Sequence, residues 1–118
     1  MNQPTPFTVK SHFDGKDEVT KQIYDQLLKS VKKFGRVIED PKKTSIHLVN
    51  NSAFAGVATR NKAVVLTIKS DRACPSPRIH KSEQTSARRF HHEVKLTSVA
   101  EVDGELLGWL ENAYALSS

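Results

Sequence analysis

Five histidines, His12, His47, His80, His91 and His92, and a single cysteine, Cys74, are the side chains best suited to ligate a metal or to carry nucleophilic and acid–base chemistry. Their spacing favours neither role. No HxH or HxxxH pair occurs, and one cysteine does not complete a tetrahedral site. His91 and His92 are neighbours on a predicted strand, so their side chains point to opposite faces. His92 is expected beside the core with a hydrogen bond, and His91 in solvent. Cys74 lies in a loop near Arg72 and Arg78, and positive neighbours lower a thiol pKa. Nothing in the sequence pairs it with a positioned base or an oxyanion hole. The five glycines are scattered and form no phosphate-binding loop. No catalytic residue, metal or cofactor is assigned, and a binding module is favoured over an enzyme.

The basic side chains are the better lead. The net charge is +5, but residues 60–95 carry nine basic and three acidic side chains, whereas residues 96–118 carry four acidic and no basic ones. A concentrated basic region attracts polyanions over about 8 Å at physiological salt. The candidate phosphate contacts are Arg60, Lys62, Arg72, Arg78, Lys81, Arg88 and Arg89. Phe54 and Phe90 could stack on bases if exposed, but their strand positions suit the core better. Lys81 and Glu83 fall on the Ile79 side of one strand, where they could pair with each other.

The elements that must position these residues follow from periodicity. Residues 43–69 read as three antiparallel strands joined by turns at 50–52 and 60–62. Ile46, Leu48, Val64, Leu66 and Ile68 form the inward rows. Val19, Ile23, Leu27, Val31 and Phe34 recur at helical spacing after Asp17, and Gly35 is placed to end that helix. Tyr24, on the same stripe, reads as core. Residues 36–39 read as a short strand with a turn at Asp40-Pro41, and residues 70–77 as a loop. Residues 78–83 and 90–97 read as two further strands. Ser98 and Glu101 have capping-box spacing, so a helix is predicted from Ser98 onward, buried through Val102, Leu106, Trp109, Leu110 and Ala113. At 118 residues the chain is read as one α+β domain spanning 13–118 after a loose arm at 1–12. The expected architecture is a two-layer sandwich, an antiparallel sheet of five or six strands with both helices on one face. The open face would then carry His47, Val49, Val65, Thr67, Lys69, His91, Glu93 and Lys95.

Four segments carry a resemblance: KTSIHLVNNSAFAGV (43–57), SPRIHKSEQ (76–84), HHEVKL (91–96) and DGELLGWLENAY (103–114). Through them the chain resembles an uncharacterised bacterial domain-of-unknown-function family, sometimes labelled "predicted transport protein", over about residues 13–116. The late strand followed by an acid-rich helix is more distantly similar to double-wing α+β proteins of the MmcQ/YjbR type, and that similarity implies DNA binding. Neither resemblance brings a catalytic residue to carry over.

The lone cysteine, the polar first residues and the lack of a long apolar run lead to the expectation of a cytoplasmic protein with no membrane contact. The leading expectation is a nucleic-acid or other polyanion-binding module. The alternative is a protein-interaction or self-association module, a homodimer included, through the open sheet face, on which His47, Lys69, His91 and Lys95 are the candidate contacts. A small-molecule pocket between sheet and helices, near His47, His80 or His92, ranks third.

Overall fold

Alternating apolar residues set six antiparallel strands, and two amphipathic helices cover one side of them. The computed structural model describes residues 8–73 and 76–117. The strands are β1 (Ile38–Pro41), β2 (Ile46–Val49), β3 (Ala53–Arg60), β4 (Ala63–Ser70), β5 (Ile79–Ser86) and β6 (Arg89–Leu96). The helices are α1 (Glu18–Val31) and α2 (Gly104–Leu116). The sheet order is β1-β2-β3-β4-β6-β5, with every neighbour antiparallel. This is the expected two-layer α+β sandwich. Because β6 lies between β4 and β5, the chain leaving β4 must cross from one end of the sheet to the other before β5 begins.

The core fills the space between the layers. Ile46, Leu48, Val57, Val64, Leu66, Ile68, Val94 and Leu96 project from one sheet face onto Ile23, Tyr24, Leu27 and Val31 of α1 and Leu106, Leu110 and Ala113 of α2, all of them buried. Leu48 pairs with Ala55 and Val49 with Ala53, so Phe54 is an extra residue on β3. That bulge lets two consecutive residues, Phe54 and Ala55, both turn inward. Phe54 then meets the Tyr114 ring edge-on at 5.3 Å. The Tyr24 hydroxyl is buried and makes no well-aligned hydrogen bond among the described residues. Burial, with the Glu39 carboxylate adding to it, pushes this phenol far above its usual range.

Several local expectations are corrected. Asp40 and Pro41 do not form a turn. They continue β1, which is an edge strand where a proline costs no ladder bond, and the bend follows at 42–45. The first helix does not run straight to Gly35. A 3-10 turn, Lys32–Phe34, intervenes, and Gly35 ends it at φ 146°. The second helix does not start at Ser98. Glu101 Oε1 accepts from the Ser98 N–H at 3.1 Å, and from the Thr97 N–H and hydroxyl at 2.7 and 2.8 Å. These bonds hold only the short 3-10 turn Val99–Glu101. Asp103 then caps α2 afresh through the Leu106 N–H, at 3.1 Å. Of the arm read at 1–12, residues 1–7 lie outside the described residues. Lys10–Phe13 form a 3-10 turn tied down by a Thr59 hydroxyl bond to the His12 carbonyl (2.6 Å) and a His12 Nε2 bond to the Lys42 carbonyl (2.8 Å). No helix is long and apolar enough to cross a membrane among the described residues.

Candidate functional site

Strand parity puts half of each strand on the face away from the helices. The register aligns His47, Gly56, Thr67 and Glu93 across that face, with Ala58, Val65 and Lys95 in the next row and Lys69 beside His91 in the row before. The floor is low because Gly56, Ala58 and Ala53 carry almost no side chain. Two shallow depressions open on it. One, of about 330 Å3, is bordered by His47, Thr67, Lys69 and His91 around Gly56. The other, of about 450 Å3, gathers Arg60, Lys62, His80 and Lys95 around Val65. The four expected open-face contacts therefore divide, His47, Lys69 and His91 toward one end and Lys95 toward the other.

The seven basic candidates also divide. Arg60 and Lys62 flank the β3–β4 turn and join Lys95. Arg72 and Arg88 lie at the opposite end of the strands. Arg89, also there, lines a notch with Lys69 and His91. Arg72 bonds Asp71 in a fork, at 2.9 and 3.3 Å. Arg78 turns to the helix layer. Its guanidinium donates to Asp103 (2.8 Å), Glu105 (3.1 Å) and the Glu101 carbonyl (2.7 Å), and lies 5.8 Å from the Trp109 ring centre. The Arg78 bond, with the Leu106 N–H adding to it, holds the Asp103 carboxyl below its ordinary range.

The β5 register explains the rest. Ile79 pairs with Val94 but Lys81 pairs with Glu93, so His80 is a bulge residue. Ile79 packs on the core while Lys81 faces out, contrary to the shared side expected of them. Lys81 lies 3.8 Å and His80 3.6 Å from Glu93, so the near partner of Lys81 is Glu93 rather than Glu83.

On the core face, His92 is buried, as expected. Its Nε2 lies 3.0 Å from the Arg72 carbonyl, which can only accept, so Nε2–H donates. In the neutral ring Nδ1 then accepts from the Ser82 hydroxyl at 2.8 Å. Its ring stacks on Phe90 at 5.9 Å. Trp109, expected as a core anchor, is only half-buried and walls a cavity beside His92. Cys74 lies outside the described residues. Among those described, no three His, Asp or Glu side chains gather closely enough to hold a metal ion.

Sequence reasoning missed the meeting of Lys95 with Arg60 and Lys62. It needs the β4–β6 pairing, and nothing in a single chain announces that β6 inserts beside β4. Comparison with known proteins gives no significant match to a curated protein or to a solved structure. The motif-rich segments quoted above all fall within residues 9–117, and over that span the chain belongs to the family described as a domain of unknown function (DUF5655).

Proposed function

We propose that the uncovered sheet face binds a polyanion, with nucleic-acid phosphates as the ligand class. One observation carries this reading: two cationic clusters stand at the two ends of an uncovered, small-residue floor. Arg60, Lys62 and Lys95 form one, and Lys69 and Arg89 the other, with His80 and His91 beside them. Ala63 to Lys69 is six strand steps, so the clusters are about 20 Å apart. A chain of phosphates spans such a gap, whereas a single small anion does not. The carboxylate in the middle of the floor, Glu93, is offset by Lys81, 3.8 Å away. Gly56 and Ala58 let a backbone approach closely, and among the described residues the face around them is lined by no Phe, Tyr or Trp. Contacts to phosphate rather than to bases fit it best, and binding should then depend little on sequence. A cytoplasmic protein is part of this reading, since nucleic acid is met there.

Fluorescence anisotropy with labelled single- and double-stranded oligonucleotides over a salt series tests it. Five phosphate contacts on a single strand, one for each Arg or Lys of the two clusters, predict a log–log slope of roughly −3.5. The pair Arg60→Glu and Lys95→Glu should remove binding. Lys29→Glu with Lys33→Glu changes net charge equally on the helix layer and should leave most of it. No binding at low salt, or equal losses in the two pairs, overturns the proposal.

A further inference from the structure

The helix layer holds a second concave feature, unrelated to the basic face. Between α2 and the sheet lies a cavity of about 310 Å3, walled by Ile68, Ile79 and Trp109 and bordered by Ser70, His92 and Asn112. That volume is at the lower end of small-molecule pockets, roughly 300–1,000 Å3. Gly108 also borders it, inside α2, where glycine is less favourable than alanine. A Cβ there would meet nothing within 4 Å. Gly108 is exposed and leaves the rim of the cavity open.

The walls say what could fit. Trp109 is held by Arg78, whose guanidinium is fixed by two carboxylates and a carbonyl, so the indole is a preset aromatic wall. Among the described lining residues Arg72 carries the one permanent charge, and it is engaged. Both His92 nitrogens are engaged, the Ser70 hydroxyl donates to the Arg72 carbonyl, and the Arg72 guanidinium forks onto Asp71. The Asn112 carboxamide faces the Asp71 carboxylate, which is held below its ordinary range by Arg72 first and by Asn112 further down. Asn112 lines the cavity, and its neutral carboxamide carries an oxygen acceptor.

We infer that this cavity is a binding site for an uncharged aromatic heterocycle of one or two rings that carries an N–H donor. The ring packs against Trp109, Ile68 and Ile79, and the N–H meets the Asn112 oxygen. The site lies on the other layer from the proposed polyanion face and stands or falls apart from it.

The chain has a single tryptophan, so one indole N–H resonance reports on the cavity. Indole, titrated into the 15N-labelled protein, should shift that resonance and the Asn112 carboxamide pair along a saturable curve. N-methylindole, lacking the donor, should bind about tenfold more weakly, as expected for one lost hydrogen bond. Benzoate, charged and of similar size, should leave the resonances in place. Gly108→Leu should fill the cavity and abolish the response, and the milder Gly108→Ala, which favours the helix, should weaken it. A linear, unsaturable shift overturns the inference, as does undiminished binding in Gly108→Ala or in a folded Gly108→Leu.

Discussion

Glu101 shows how much can rest on one carboxylate. It gathers the Thr97 N–H, the Thr97 hydroxyl and the Ser98 N–H, which together tie the end of β6 to the turn before α2. The Thr97 N–H first, then the Thr97 hydroxyl and Ser98 N–H, hold its pKa below the ordinary glutamate range against the cost of burial. A carboxyl with a depressed folded pKa binds fewer protons in the native state than in the unfolded one, so stability rises with pH across that window. The contribution is full above the unfolded value, about 4.3, and is lost as pH falls through the folded one. Glu101→Gln should therefore lower stability by about 1–2 kcal/mol at pH 7. Urea titrations at a series of pH values should show its gap to the parent closing below about pH 4. A gap that stays constant to pH 2 would exclude this account. The Ser98–Glu101 spacing was readable in the sequence, but what it caps was not. A second capping residue, Asp103, two positions on, restarts the helix, and spacing alone does not rank two caps.

Among the elements, the join between the helices depends on Gly35 and Tyr114. At φ 146° Gly35 holds a backbone conformation that L side chains rarely adopt, and a Cβ there would come within 2.6 Å of the Tyr114 hydroxyl. That hydroxyl donates to the Arg36 carbonyl at 2.9 Å, and the Tyr114 ring meets both Phe34 and Phe54. Gly35→Ala should cost about 1–3 kcal/mol from the backbone alone. Tyr114→Phe in the same chain should return only the part due to the clash. A thermal-melt double-mutant cycle separates the two, and full recovery in the double variant would show that the dihedral carries no strain. Gly35 was legible as a stop signal because glycine following a lysine-rich helix end is a common terminator. The 3-10 turn before it was not, since Lys32 and Lys33 suit either geometry. The β2–β4 meander was legible because β2 and β4 alternate β-branched and leucine side chains without interruption, whereas the bulge at Phe54 in β3 was not legible. β5 was legible as a strand but not in its facing. Its bulge at His80 shifts parity by one, and no residue type there marks it.

For the molecule as a whole, antiparallel pairing and a single apolar face made the two-layer architecture readable, while the strand order was not. The sandwich leaves two edges. β1 is short and ends in Pro41, and β5 is polar and twice irregular, between Ile79 and Lys81 and between Gln84 and Ser86. Both are features that blunt edge-to-edge pairing, and they weigh against self-association by strand addition. The six strands are unequal partners. β4 is held on both sides and buries Val64, Leu66 and Ile68, whereas β5 pairs with β6 alone and is exposed along almost its whole length. Opening β5 sacrifices one ladder and little apolar burial, so the free energy of that local opening lies far below that of global unfolding. Backbone amides of Ile79–Ser86 that bond to β6 should take up deuterium well ahead of those linking β3 to β4. Equal protection in the two ladders would mean that the sheet opens only as a unit. β5 is then a hinged flap on a rigid board, able to loosen under the native baseline while β6, the meander and both helices stay shut.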